Sequence, residues 1–435
     1  MTESKTAAVD IIGGGLAGSE AALALAERGV RARLFEAKPL WFSPAHKNAG
    51  YAEIVCSNSL KSTAETTASG ALKNELDALG CRLLRIARQS SVPAGSALAV
   101  NRDEFSARVT AAVEACDNIE RVNAVVTEID PERLTLVCAG PVCHDGLARS
   151  LAKLTGESAL YFFDAAAPII TADCIDMSRA FFGARYGKGD DDYLNCPMTK
   201  DEYLAFYDAL VSAERAVEKT GEVFEGCMPV EVMAARGVDA LRFGPLRPVG
   251  FRDAGKPYAV LQLRRENAEG SLFNMVGFQT NLKFGEQKRV FSLIPALKNI
   301  EIVRYGVMHR NTFINAPVAI NGDLRLKKHP NVFVAGQLCG VEGYVESIAT
   351  GLVAALNAYR VLNDAETVMP PRETVLGALL HYITQPNGDF QPMNANFGIL
   401  PYIDGVKKSE RKRAYYDRSA SAVREWVQKM GDCGV

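Results

Sequence analysis

The stretch Val9-Asp10-Ile11-Ile12-Gly13-Gly14-Gly15-Leu16-Ala17-Gly18 is the clearest pattern in the chain, and its reading decides the fold. Val9 to Ile12 has the character of a short buried strand and runs straight into G-x-G-x-x-G at positions 13, 15 and 18. Ser19 to Arg28 is rich in Ala and Leu, which predicts a helix, and Gly29 predicts its end. Val30 to Phe35 alternates as a second strand and ends at Glu36, an acid 18 residues beyond Gly18. The glycine spacing by itself is common. Set between strand and helix, with that acid behind it, it meets the requirements of a dinucleotide-binding βαβ unit. Gly13 permits the tight turn, Gly15 lets the backbone approach a pyrophosphate, and Gly18 lets the helix pack on the strand. Gly14, Leu16 and Ala17 complete the loop, and the helix N-terminus favours negative charge. Glu36 can accept from the ribose hydroxyls of an adenosine.

A second segment lies near the other end of the chain. Asn331 to Gly336 reads as a strand running into glycine, Gln337 to Tyr344 as a glycine-punctuated loop, and Val345 to Ala358 as a helix. Here too, backbone N–H groups can meet an electron-rich ligand edge. Gly336, Gln337, Gly343 and Tyr344 are its candidate cofactor contacts. The two segments together resemble the two-part FAD site of flavoproteins of the glutathione-reductase type, whose late helix faces the flavin ring. Those proteins usually carry Asp after the strand's glycine; this chain has Gln337. Leu134 to Pro141 reads either as the return of the flavin domain or as a generic strand end. The expected class is α/β, a discontinuous Rossmann-like FAD-binding domain with an α+β insertion. Residues 1–189 would form its first part, 190–305 the insertion on the substrate side, and 306–435 the second part with C-terminal helices.

Composition narrows the functions. The chain has 435 residues and a formal net charge of −2, so no whole-chain field would hold a polyanion. A nucleic-acid partner needs a local basic patch, and two stretches offer one. Arg236 to Arg265 holds seven basic residues against two acidic ones, interleaved with Phe243, Phe251 and Tyr258. That mixture suits phosphate contact with base stacking, or else a solvated face. Lys407 to Arg418 holds six against two, with Tyr415 and Tyr416, and reads first as a solvated helix. No signal segment, membrane-length apolar run or metal-ligand spacing stands out, which predicts a cytoplasmic protein with reduced thiols. Among ten cysteines, two stand apart. Cys56 lies in the polar stretch Glu53 to Ser62, and Cys227 lies between Gly226 and Pro229, in a turn-like setting. A polar or basic setting biases a thiol towards the reactive thiolate. Cys81, Cys116, Cys138 and Cys174 read as core filler, and Cys196 as intermediate.

Several blocks occur in order along most of residues 9–360. They are the opening fingerprint, Cys56-Ser57-Asn58-Ser59-Leu60-Lys61-Ser62, Cys196-Pro197-Met198, and Glu225-Gly226-Cys227-Met228-Pro229-Val230-Glu231. Leu241-Arg242-Phe243-Gly244-Pro245-Leu246-Arg247-Pro248, Val276-Gly277-Phe278-Gln279-Thr280-Asn281-Leu282 and Gly336 to Tyr344 follow. The set resembles the TrmFO family of folate- and FAD-dependent tRNA (uracil-5-)-methyltransferases, relatives of the longer GidA/MnmG flavoproteins. The resemblance implies a thiolate that adds at uracil C6, so that C5 becomes an enolate carbon able to attack an electrophile. 5,10-Methylenetetrahydrofolate supplies the carbon, a base removes the C5 proton, and reduced FAD supplies hydride. By resemblance Cys227 is the nucleophile, Cys56 the base or an organiser of the flavin pocket, and Tyr344 a stacking surface for the pterin. NADH or NADPH would charge the flavin, binding transiently, because no second dinucleotide fingerprint is present. The implied partners are the tRNA T-arm and folate, with no membrane and no stable protein partner. The competing readings are methylation of a ribosomal-RNA uridine, a plain flavin oxidoreductase, and a non-catalytic RNA-binding flavoprotein.

Overall fold

A computed structural model describes residues 8–157, 160–187, 190–216, 228–251, 255–388 and 390–432. Val9–Ile12 is buried along its whole length. It pairs in parallel with Ala32–Glu36 on one side and with Thr135–Val137 on the other. A short, mostly apolar strand suits this position, because a parallel sheet is covered on both faces; its one charged residue, Asp10, pairs with Arg33 and Arg133. Val332–Val334 and Ile119–Asn123 complete a five-stranded parallel sheet at its two edges. Thr135–Val137 is fully buried and paired on both sides. It is therefore an interior strand of the sheet, which removes the generic strand-end reading.

The chain leaves this sheet and comes back through an antiparallel ribbon, Leu160–Ala165 against Met308–Phe313. Between the two passes lies a six-stranded antiparallel sheet with its own core, which includes Leu261, Phe206 and Phe278. Two of its strands, Ile169–Thr171 and Phe181–Phe182, come before residue 190, where the change of texture put the start of the insertion. Composition marks where the surface becomes basic, whereas backbone pairing draws these earlier strands into the sheet. Ile302–Arg304 forms its far edge.

Two helices bring the glycine loops together. The fingerprint helix Leu16–Glu27 packs on the late helix Tyr344–Leu362. A Cβ on Gly351 would lie 2.2 Å from the Ala17 carbonyl oxygen, so the helix backbones touch. Overpacking such a contact costs about 1–3 kcal/mol. The Thr350 hydroxyl accepts the Gly336 N–H at 2.9 Å, which ties the late loop to the late helix. Both loops follow strand ends on the same edge of the sheet, where open α/β sheets bind ligands.

Candidate active site

A cleft partly open to solvent runs between the two loops. Gly13 to Ala17, Glu36, Gln337, Tyr344 and Ser347 line it. The three glycines differ in their surroundings. Gly13 has φ +104°, and a Cβ there would lie 2.4 Å from Ala139 Cα. A Cβ on Gly18 would lie 1.9 Å from the Gly13 carbonyl oxygen, so Gly18 serves helix packing beneath the turn. A Cβ on Gly15 would meet no atom within 4 Å, which leaves room in front of the helix N-terminus. Gly15 is also the N-cap, with no side chain to satisfy the first-turn N–H groups. Those donors remain for an anionic ligand.

Glu36 accepts the Gly14 N–H at 2.8 Å and the Lys38 N–H at 3.0 Å. The carboxylate thus holds the turn and still has lone pairs for a ribose. Trp41 and His144 also line the cleft, their rings edge-to-face with centroids 5.3 Å apart. An open phosphate loop, an acid on the second strand and apolar walls fit an adenine dinucleotide. FAD would be held by Gly13 to Ala17, Glu36, Gly336 and Gln337.

The late loop provides the other wall. Gly336 and Gly343 have φ +73° and +125°. Gly336 lines the cleft, whereas Gly343 caps the late helix, where a Cβ would lie 2.2 Å from a Glu346 carboxylate oxygen. The Gln337 amide donates to the buried Glu342 carboxylate. Burial, with Asp164 nearby, pushes Glu342 above the ordinary carboxylate range. Tyr344 starts the late helix, and its hydroxyl accepts the N–H of Cys56 at 2.8 Å and of Ser57 at 3.0 Å. Burial is the main cause that raises the phenol well above its usual value, so it stays neutral.

Cys56 is half-buried, with its sulfur 3.8 Å from the Ala165 carbonyl oxygen at the end of the ribbon. Its neighbours Glu53 and Val55 line the cleft. Of the sequence-predicted residues, Gly13 to Ala17, Glu36, Gly336, Gln337 and Tyr344 line the cleft, Gly18 and Gly343 shape the turns behind it, and Cys56 is bonded to Tyr344 beside it. Cys227 lies outside the described residues. Cys196 is in the core of the second sheet, and burial pushes its thiol up to about 12, as it does that of Cys339. Cys196 is thus filler. Cys81, Cys138 and Cys174 are also buried, and Cys116 packs against the core.

Sequence reasoning missed three arginines around Cys56. Arg102 donates to the carbonyls of Ile54, Val55 and Cys56 at 3.2, 3.2 and 3.3 Å and pairs with Glu266. Arg264 donates to Asn58 Oδ1 and Ser57 Oγ, each at 2.8 Å. Arg304 reaches the Val55 carbonyl at 2.7 Å. Arg264 belongs to the basic stretch but is buried, so that stretch has an inner and an outer part. Arg242 pairs with Asp239 and covers the Tyr258 ring, with its guanidinium carbon 3.7 Å from the centroid. Arg247 and Phe243 are exposed. No helix among the described residues is long and apolar enough to cross a membrane.

Comparison with known proteins agrees with this geometry. Residues 8–366 match the family model described as glucose inhibited division protein A. The methylenetetrahydrofolate–tRNA-(uracil-5-)-methyltransferase TrmFO of Desulforamulus reducens is 50% identical over 444 residues, covering 100% of both chains. TrmFO of Acetivibrio thermocellus is 52% identical, covering 97% of this chain and 99% of the other. Among solved structures, GidA of Aquifex aeolicus superposes with a TM-score of 0.72 at 17% identity, over 99% of this chain and 75% of that one. That likeness speaks for the fold alone. With half of its residues shared along its whole length, the chain belongs to the TrmFO family, within the wider group of glucose inhibited division protein A.

Proposed function

We propose that this chain methylates C5 of a uridine in the tRNA T-loop, with 5,10-methylenetetrahydrofolate as carbon donor and FAD as cofactor. The observation that carries this reading is the full-length identity to relatives named for that reaction, over a chain whose cleft has the parts the reaction needs. Bound FAD, once reduced, supplies the hydride that completes the methyl group; NADH or NADPH is the reductant that recharges it. The residues of the chain do the rest. The Gly13 to Ala17 loop holds the pyrophosphate, and Glu36 accepts from the ribose. Tyr344 walls the cleft with its ring, available to the pterin, while its hydroxyl fixes the Cys56 backbone. Cys56 acts as proton acceptor or organiser at that end. Cys227 supplies the thiolate that adds to uracil C6. The outer basic residues of the insertion, Arg247 foremost, meet the RNA backbone. A cytoplasmic location, where tRNA is found, goes with this function.

A covalent trap tests the reading. T-arm RNA carrying 5-fluorouridine blocks loss of the C5 substituent, so the C6 adduct accumulates. The expected result is a denaturation-stable protein–RNA adduct that disappears in Cys227→Ala. An adduct that persists in Cys227→Ala overturns the nucleophile assignment.

A further inference from the structure

The loop from Ile54 to Asn58 has no regular secondary structure, yet most of its polar groups are held. Arg102 takes the carbonyls of residues 54, 55 and 56, and Arg304 takes the carbonyl of 55 a second time. Arg264 takes the side chains of Ser57 and Asn58. Tyr344 takes the N–H groups of 56 and 57. The Asn58 amide also donates to the Val100 and Arg265 carbonyls, at 3.1 Å each.

This arrangement is expensive. Arg102 and Arg264 are 9% and 6% exposed, and buried guanidiniums lose hydration that hydrogen bonds only partly restore. Arg102 has Glu266 as counter-ion, whereas Arg264 spends its hydrogen bonds on neutral partners. Apolar packing of the same volume stabilises a core at least as well. What the guanidiniums add is a single backbone path for the loop, because their planar forks fix acceptor positions. The origin of these groups also matters. Arg102 begins the helix Arg102–Glu114. Arg264 lies on the strand Ala259–Arg265 of the second sheet, Glu266 directly follows it, and Arg304 ends the edge strand Ile302–Arg304.

We propose that Arg102, Arg264 and Arg304 are positioning residues for Cys56, and that through Arg264 and Arg304 the insertion sets where this thiol stands relative to the flavin end of the cleft. The proposal rests on the role of Cys56 in the function proposed above. Any tilt of the insertion when RNA docks is passed to the Cys56 loop through these two side chains, while the fingerprint half of the cleft is untouched.

The test uses the full-length, FAD-loaded protein with Arg304→Gln and Arg304→Lys. Two readouts are compared. Hydrogen exchange of the peptide spanning residues 53–60 is measured without RNA or folate. Methylation kinetics are measured with a tRNA transcript. In Arg304→Gln the expected result is exchange at least about tenfold faster, confined to that peptide, the factor for loss of a hydrogen bond to a charged group. The kcat falls by a similar factor while KM for tRNA and FAD content stay within about twofold. Arg304→Lys recovers part of both, since an ammonium can still reach the Val55 carbonyl. Should Arg304→Gln not fold, Arg304→Lys alone still shows faster exchange confined to the same peptide. Unchanged exchange in the loop, or exchange raised equally over the whole second sheet, overturns the proposal. Exchange is read without turnover, so absence of methylation in the wild type would count against the function and leave the positioning role to the exchange data.

Discussion

The phenol oxygen of Tyr344 accepts the backbone N–H of Cys56 at 2.8 Å, across 288 residues of sequence. Tyr344 thus does two things at once, with its ring on the cleft and its hydroxyl on the loop that carries the thiol. Tyr344→Phe keeps the ring and leaves the N–H groups of Cys56 and Ser57 without their acceptor. Stability should fall by about 1–3 kcal/mol, read by thermal or urea unfolding. The variant should retain FAD and lose kcat. Wild-type stability and turnover in this variant would show that the contact is dispensable.

Positions 15 and 18 separate cofactor binding from packing. A side chain at 15 meets open space, whereas one at 18 meets the Gly13 carbonyl at 1.9 Å. Gly15→Val should therefore fold normally and lack the yellow absorbance of bound flavin. Gly18→Val should lose both flavin and stability. Full FAD content in folded Gly15→Val contradicts the assignment of the loop to the pyrophosphate.

Glu75 sets a dependence of stability on pH. It is fully buried, accepts the N–H groups of Val375 and Leu376 at 2.6 and 2.9 Å, and is also bonded by the Ser419 hydroxyl. Burial raises its carboxyl from 4.5 to about 7. The folded state thus holds a proton that the unfolded state gives up. This contribution is complete below 4.5 and is lost as pH rises through about 7. Its size is about 3 kcal/mol at one pKa unit per 1.4 kcal/mol. The stability difference between wild type and Glu75→Gln should shrink across that window. Parallel pH curves for the two proteins would contradict the shift.

The outer basic residues differ in how free their charge is. Arg247 is exposed, whereas the Arg242 guanidinium is already paired with Asp239 and laid on Tyr258. Arg247→Gln should flatten the salt dependence of T-arm RNA binding by about 0.7–0.9 in log–log slope, the value of one phosphate contact. Arg242→Gln should change it less. An unchanged slope in Arg247→Gln returns that residue to an ordinary solvated face.

The parts legible in the sequence are those whose meaning is local. Gly13, Gly15 and Gly18 lie within six residues, and their spacing alone reports a turn, an open approach and a helix contact. Glu36 belongs to the same unit. The late loop was readable for the same reason, since Gly336 and Gly343 interrupt a strand–helix connection. Arg102, Arg264 and Arg304 carry no such mark. They meet at the Cys56 loop only after a helix and two strands of the second sheet have packed, and Arg264 sits among surface arginines in the sequence. Burial, not residue type, separates it from Arg247. The early strands of the insertion were hidden because Ile169–Thr171 and Phe181–Phe182 are only two or three residues long, and Ile169–Thr171 pairs with Leu272 to Asn274, about a hundred residues away.

The most direct test of the central claim follows one carbon atom. FAD-loaded protein is incubated with a tRNA transcript, NADH or NADPH, and 5,10-methylenetetrahydrofolate isotopically labelled at its methylene carbon, and the RNA is mapped by mass spectrometry. The account predicts 5-methyluridine at a T-loop uridine, with the label in its methyl group. Unlabelled RNA after full incubation, or label on a base outside the T-loop, would contradict it.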